Sequence, residues 1–387
     1  MQPLSGYRVI EIGHALAGPI ASTFLADFGA EVIKIEKPGE GDSLRRMGPA
    51  SKGTGIWWLV TGRNKKSVTL DLKAAAARPI LEDLLRGADV LVENHRPGVM
   101  ERLGLGWEDV KKINPRIVML RVSGFGQSGP YSKRGGFGKI AEAFSGATNL
   151  TGHRGQPAIH PGYSLGDAVA GLTGAFGVAL ALLARVKSGA GQMVDVALYE
   201  PMFRLIEWQI PMHVLTGLHV ERNGAQFPFT DAFITNIFLT GDGHSIVFSA
   251  ATADSIERLR KLLSEEGQTK GGESTDELDA LLKAWMARHP REYIMERFNK
   301  WDMVNGLVYT PAEILADEHF RARQNIVKAV HGTLGEVPMP NVVPQLSDTP
   351  GKVNWPGPKL GEHTDEVLRA LGYGDDRLAE LRQAQAI

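Results

Sequence analysis

Residues 8–37 read RVIEIGHALAGPIASTFLADFGAEVIKIEK, and this stretch decides the fold class. A short apolar run, RVIEI at 8–12, is followed by a Gly-Pro turn and then by the helical pattern IASTFLADFG at 20–29. A second strand-like run, EVIKIE, comes next at 31–36. Strand, helix and strand at this spacing predict a βαβ unit, and hence a parallel sheet.

The same alternation continues downstream. PILEDLLRGA (79–88) has helical periodicity, DVLVEN (89–94) is strand-like, WEDVKKI (107–113) is helical, and RIVMLRVSG (116–124) is again strand-like. Open parallel sheets bind ligands outside the carboxyl ends of their strands. Lys37, Lys73, Arg96 and Arg102 all fall shortly after predicted strands. Cations at equivalent topological positions point to an anionic, nucleotide-like ligand.

Residues 126–165 are rich in glycine and polar side chains, without periodicity, and are expected to be irregular and functional. From Asp167 a helix is expected through AVAGLTGAFGVALALLARVKSG (168–189), closed by the glycines of SGAGQ. From about residue 217 the texture changes. FITNIFLT (233–240) and HSIVFSAAT (244–252) read as an antiparallel pair turned by Gly241-Asp242-Gly243. The segment 338–359 holds six prolines and reads as an extended linker. HTDEVLRALGYGDDRLAELRQA (363–384) reads as a helix pair with Thr364 as N-cap. The expected division is a large domain over 1–215, a small α+β domain over 225–325, and a linker returning to the large domain over 326–387.

Composition narrows the function. Of the 387 residues, 43 are Lys or Arg and 44 are Asp or Glu, a balance that argues against nucleic-acid or membrane-surface binding. The absence of cysteine removes disulfides, thiolate catalysis and cysteine-ligated metals. No signal peptide is indicated, and the apolar run 168–184, broken by three glycines, reads as a buried helix, so a cytoplasmic protein is expected. GFGQSG at 124–129 matches a dinucleotide fingerprint, but Pro130 follows and no helix opens there. No histidine stands in a metal-ligating spacing, and His213 and His219 are expected on different helix faces. There is no G-x-S-x-G elbow.

One carboxylate stands out. In HPGYSLGDAVAGLTGAFG (160–177) Asp167 is the sole acidic residue among small and apolar ones. The residues alone favour a helix N-cap, with a nucleophile in a partly desolvated site, facing a good electrophile such as a thioester, as the second reading.

LSGYRVIEIGHALAGPIASTFLADFGAEVIKIEKPGEGD, NKKSVTLDLK, ADVLVENHRPGVMERLGLG, NPRIVMLRVSGFGQSGPYS and YSLGDAVAGLTGAFGVALALLARVKSGAGQMVDVALYE together resemble the class III CoA-transferase family (the CaiB/BaiF type). The likeness returns in KLGEHTDEVLRALGY and is weak only over about 220–330. Formyl-CoA:oxalate and carnitine CoA-transferases belong to that family. The resemblance implies a Rossmann-like large domain with a smaller α+β domain, and two chains interlocked as linked rings in a homodimer. It implies that Asp167 is the nucleophile. It implies CoA contacts at Ala15, Leu16, Ala17, Lys37, Leu70, Asp71, Leu72, Lys73, Asn94, His95, Arg96 and Arg102.

The resemblance further implies CoA and acyl-CoA as substrates rather than a resident cofactor, a small or medium carboxylic acid as partner substrate, and succinyl-CoA as a donor. Two departures bear on specificity. The formyl-CoA type has a glycine run where RNGAQFPFTDAF (222–233) stands here. Relatives carry an acidic or tyrosyl residue where this chain has Phe137-Gly138-Lys139, so Lys139 brings a cation to the site, for a second substrate carboxylate or for CoA phosphate. His14, Arg154, His160 and Tyr163 also hint at a polar or dicarboxylic acceptor. The same fold supports 2-methylacyl-CoA racemisation, but that branch carries a histidine in the segment Gly136–Lys139, and none is present. A non-catalytic acyl-CoA binder is the remaining alternative.

Overall fold

The computed structural model describes residues 1–226 and 233–387, so half of RNGAQFPFTDAF, residues 227–232, lies outside the described residues. The chain divides into two compact units, one of residues 1–145, 162–206 and 320–387, the other of residues 146–161 and 207–319.

In the larger unit, β1 (Arg8–Glu11), β2 (Glu31–Glu36), β3 (Lys65–Thr69), β4 (Val90–Glu93), β5 (Val118–Ser123) and β6 (Met193–Ala197) form one sheet. Their order is β3-β2-β1-β4-β5-β6, and every pairing is parallel. Strand order therefore runs one way from β1 to β3 and the other way from β4 to β6. The loops leaving β1 and β4 stand at that reversal, the position at which open parallel sheets bind ligands.

Helices α1 (Ala17–Asp27), α2 (Ala77–Arg86), α3 (Trp107–Ile113), α4 (Gly138–Phe144) and α5 (Leu165–Ser188) belong to this unit. Successive strand residues point to opposite faces, which splits the core in two. Ile10, Ile33, Leu91 and Met119 pack with Ile80 and Leu84 of α2. Val9, Val32, Val90, Val118 and Leu120 pack with Ala21 and Leu25 of α1 and Ala170 and Val178 of α5.

Helix α5 is long and apolar enough, by length and composition, to cross a membrane. Its small residues lie against the sheet layer instead. A β-carbon on Gly171 would stand 2.7 Å from Ile20 Cγ2, and one on Gly174 would stand 2.9 Å from Leu120 Cδ2. Its other face leaves Leu172, Phe176, Leu180, Leu183 and Val186 at least half exposed.

The smaller unit holds β7 (Ile234–Leu239), β8 (Ser245–Ala250) and β9 (Asn305–Leu307) in the antiparallel order β9-β8-β7. Helices α6 (Ala253–Glu265), α7 (Thr275–Met286) and α8 (Arg291–Lys300) supply Leu259, Trp285 and Phe298 to a core with Phe238 and Phe248. Beyond it the chain forms a hairpin, β10 (Ile326–His331) with β11 (Gly335–Pro340). Helices α9 (Thr364–Ala370) and α10 (Asp375–Gln383) then pack Leu368 and Leu378 into the α2 side of the larger core.

Several expectations are corrected. Residues 146–161 group with the smaller unit, because Gly224 N–H bonds to Gly152 O and Arg222 Nε to Gln156 O. Strand β3 was implied by the placing of Lys73 after a strand but was given no bounds, since its KKSVT carries two lysines. Helix α4 lies inside the stretch expected to be irregular. Thr364 is the first helical residue, not the cap, and its Oγ1 accepts the Thr69 N–H at 2.9 Å. His213 and His219 stand 6.0 Å apart, because the helix Gln209–Thr216 ends at left-handed Gly217 and the chain turns back.

Candidate active site

The site lies at the strand-order reversal. The loop after β1 carries His14-Ala15-Leu16-Ala17, and the loop after β4 carries Asn94-His95-Arg96. Asn94 ties them together: its Oδ1 accepts the His14 N–H and its Nδ2 donates to the His14 carbonyl, both at 2.8 Å. Asp42 holds the next residue, its Oδ1 accepting the N–H of Ala15 at 2.9 Å and of Leu44 at 2.8 Å. Ala15 sits at φ 59°, a left-handed conformation uncommon for a residue with a β-carbon. Close approach explains Gly13, where a β-carbon would stand 2.9 Å from Asn94 Oδ1.

Beneath the loop is a buried charge network. Lys34 Nζ contacts Glu11 Oε1 at 2.6 Å, Asp42 Oδ2 at 2.7 Å and the Gly13 carbonyl at 2.8 Å. Lys65 Nζ contacts Glu11 Oε2 at 2.8 Å and the Pro19 carbonyl at 2.7 Å. Burial works against the ammonium of Lys34, yet Glu11, Asp42 and Glu36 hold its pKa well above the usual value. Burial would raise the Glu11 carboxyl, but Lys34 and Lys65 keep it below its usual range.

Two cavities meet here. One, of about 420 Å³, is lined by Lys37, Arg46, Leu70, Asp71, Leu72, Lys73 and His95, with Glu40 beside Lys37. The other, of about 500 Å³, is lined by Ala15, Leu16, Ala17, Asn94, Lys139 and Asp167. His14 and Ser43 line both. Burial, reinforced by His14, pushes His95 down to about 4, so its ring is neutral at pH 7. Arg96 and Arg102 do not line either cavity, although both belong to the predicted set.

Asp167 stands in the first turn of α5, not at its cap; that position belongs to Ser164, whose side chain makes no cap bond. The buried Glu142 of α4 does this work instead, its Oε1 accepting the Gly166 N–H at 3.0 Å. Lys139 Nζ lies 3.1 Å from Glu142 Oε2 and donates to the Tyr163 carbonyl at 2.7 Å. Burial, then the neighbouring Glu142 charge, raises the Asp167 carboxyl to about 6, with Lys139 opposing them. Gly138 leaves the carboxylate its place: a methyl there would overlap Asp167 Oδ2. The arrangement places a partly buried carboxylate in a cavity that shares His14 and Ser43 with a second, cation-edged one.

The structure brings Asp167, Lys139, His14 and the expected CoA contacts together in these two cavities, Arg96 and Arg102 excepted. Sequence reasoning missed Asp42, Ser43, Arg46 and Glu142. Asp42 ends the GEGD stretch after β2, a glycine-flanked carboxylate that could have been flagged; Glu142 reads as an ordinary helix residue and gave no signal. The GFGQSG loop is glycine-rich for packing: a β-carbon on Gly124 would stand 2.8 Å from Gly136 Cα.

The family model for CoA-transferase family III matches residues 4–364. Over all of this chain and 98% of the relative, the sequence is 41% identical to succinyl-CoA–D-citramalate CoA-transferase of Chloroflexus aurantiacus. It is also 41% identical to the succinyl-CoA–L-malate CoA-transferase alpha subunit of the same organism, over 95% of this chain and 89% of the relative. A crystal structure of a CaiB/BaiF family protein from Brucella suis superposes with a TM-score of 0.86 at 28% identity, covering 96% of this chain and 99% of that one.

Proposed function

The chain belongs to CoA-transferase family III, and on that premise we propose that it moves CoA from succinyl-CoA to a dicarboxylic acid through Asp167. The observation that carries the reading is the Asp167 carboxylate, partly buried over Gly138 in a cavity that shares His14 and Ser43 with the cation-edged cleft. The substrate pair follows the two Chloroflexus relatives, whose names specify succinyl-CoA with citramalate or malate.

The chemistry balances without an acid or base. An Asp167 oxygen attacks the thioester carbonyl; a C–O bond forms, the C–S bond breaks, and a mixed anhydride and CoA thiolate result. The thiolate attacks the aspartyl carbonyl, giving an aspartyl-CoA thioester and releasing the donor acid as its carboxylate. The acceptor carboxylate attacks that thioester and displaces the thiolate again. Thiolate attack on the acceptor carbonyl of the second anhydride yields the new acyl-CoA and frees Asp167. No proton is gained or lost, so the neutral His95 is compatible with this role for its cleft.

CoA is assigned to the cleft of Lys37, Leu70, Asp71, Leu72, Lys73 and His95, its thiol passing His14 to reach the Ala15-Leu16-Ala17 loop and Asp167. Arg96 and Arg102 are left to the outer rim. The strand order, reversing between β1 and β4, supports calling the sheet Rossmann-like. The exposed apolar stripe of α5 supports a homodimer, interlocked as the family resemblance implies, because so continuous a stripe is otherwise left in water. A chain without cysteine fits a cytoplasmic setting.

The test is trapping. Incubation with succinyl-CoA followed by hydroxylamine or borohydride should modify Asp167 alone, read by peptide mass spectrometry. An unmodified Asp167 with succinyl-CoA and with a broad panel of other CoA thioesters would refute the nucleophile assignment.

A further inference from the structure

We propose that Ser164 is a further catalytic residue, its hydroxyl donating a hydrogen bond to the oxyanion that forms on the Asp167 carboxyl carbon as CoA joins or leaves it. This rests on the transferase reading of Asp167 and goes beyond it by adding a second side chain to the chemistry.

Ser164-Leu165-Gly166-Asp167 spells S-x-x-D, the sequence of a capping box. In a closed box the serine oxygen accepts the N–H of the third helical residue, and the acidic side chain reaches back to the serine N–H. The box at the start of α7 is closed in this way: Ser274 Oγ accepts the Glu277 N–H at 3.3 Å, and Glu277 Oε2 accepts the Ser274 N–H at 2.7 Å. At the start of α5 neither bond is made. The Ser164 carbonyl accepts the Ala168 N–H at 3.0 Å, as an N-cap carbonyl does, but the side chain makes no cap bond. Its φ of −81° and ψ of 68° lie outside the extended region usual for a capping serine. Glu142 takes the Gly166 N–H in its stead.

Two polar side chains are thereby left over. Among the described residues, neither the Ser164 hydroxyl nor the Asp167 carboxylate is engaged in a hydrogen bond. Both residues line the nucleophile cavity. Ser164 is partly buried, yet its oxygen is not one of the buried polar atoms that lack a partner, so the hydroxyl is open to the space the residue borders. Residues three apart at one helix turn are neighbours, which sets this donor beside the Asp167 carboxyl.

Two of the four steps attack that carboxyl carbon. When the CoA thiolate adds to the aspartyl carbonyl of the first anhydride, the C–S bond forms and the carbonyl electron pair moves onto the Asp167 oxygen. Loss of the donor carboxylate restores the carbonyl. The acceptor carboxylate then adds to the aspartyl-CoA thioester through an equivalent oxyanion, and the thiolate leaves. Ser164 keeps its proton throughout. It is not bonded to Asp167 in the free enzyme, so its hydrogen bond is gained on the way to the tetrahedral species and lowers the barrier rather than tightening substrate binding.

The test is exchange of labelled succinate into succinyl-CoA, with the aspartyl-CoA thioester followed by borohydride quench and mass spectrometry. Ser164→Ala should lower kcat and kcat/KM together by about a hundredfold, the loss typical of one oxyanion donor. Formation of the aspartyl-CoA thioester should slow by a similar factor, and thermal melting should match wild type because no cap bond is lost. Ser164→Gly, which suits an N-cap nearly as well as serine, should lose the same activity and replaces the alanine variant if that one does not fold. Ser164→Thr keeps a hydroxyl donor and should keep most of the activity. A hydroxyl-free variant that exchanges at close to the wild-type rate overturns the assignment, and with lowered melting it makes Ser164 an ordinary cap. A threonine variant as impaired as alanine overturns it too. Either result leaves Asp167 as nucleophile, provided that the wild-type protein labels there. Wild-type protein that exchanges no succinate and never labels overturns the transferase reading, and this assignment with it.

Discussion

Asp167→Asn should make the protein more stable at neutral pH while abolishing its chemistry. The Asp167 carboxyl is raised from its ordinary 3.8 to about 6, first by burial and then by the Glu142 charge. A carboxyl whose pKa is higher in the folded chain than in the unfolded one destabilises the fold wherever it is ionised in both. Each pH unit of that displacement corresponds to about 1.4 kcal/mol, so the cost is about 3 kcal/mol at pH 7. As pH falls through 6 the folded state takes up its proton first; the cost is about half as large at pH 5 and vanishes below about 4. Asparagine fills the same space over Gly138 and cannot ionise. Urea unfolding of both proteins at pH 7 and pH 5 should give a gain of about 3 kcal/mol that shrinks to about 1.5 kcal/mol. Aspartyl trapping should be lost at both pH values. A variant no more stable than wild type at pH 7, or a gain that does not shrink on acidification, refutes the claim that burial and Glu142 act on Asp167 as charges.

Gly138→Ala inserts a methyl where Asp167 Oδ2 lies, and displacing a nucleophile by about an ångström should cost about a hundredfold in kcat at modest cost in stability, read by steady-state kinetics beside thermal melting. Asn94→Ala removes both bonds to the His14 backbone, at about 1 kcal/mol each, and should raise KM for acyl-CoA more than it lowers kcat, because the Ala15 loop relaxes while Asp167 keeps its seat. An unchanged KM in that variant would show that the loop is held by Asp42 alone.

The fold was legible where periodicity was strong. The strand-helix-strand reading of 8–37 located β1, α1 and β2 within a few residues, because both strands are apolar on either face as parallel strands must be. Strand β3 was implied before Lys73 but not delimited, because Lys65 and Lys66 break that pattern; Lys65 is nevertheless fully buried, its charge answered by Glu11, which lies 54 positions earlier in the chain. Helix α4 escaped because GKIAEAF is only seven residues among glycines. Asp167 was visible as an isolated carboxylate whose neighbours favoured a cap. The residue that takes the cap bond instead, Glu142, lies 25 residues away, and only the packing of Gly138 against Gly166 brings it under the helix start.

The charges inside the sheet have a common purpose that the site makes intelligible. A central parallel strand ordinarily buries aliphatic residues on both faces, yet Glu11, Lys34, Glu36, Lys65, Glu93 and Arg121 are all buried at the carboxyl-end halves of their strands or at the entry to β3. Such groups do not earn their place through stability, since a buried ion pair gains little over a packed hydrophobic one. What they do is direct backbone. Lys34 holds the Gly13 carbonyl and orients Asp42, which in turn holds the Ala15 N–H. Glu93 accepts the His95 N–H at 2.8 Å and is itself fixed by Arg121. Glu36 accepts the Asp42 N–H at 2.8 Å and binds Arg45 at 2.7 Å. Each polar chain thus ends on a loop that lines one of the two cavities. A hydrophobic sheet would leave those loops to their own flexibility, and a site built on loops keeps its geometry only where their backbone is held in place.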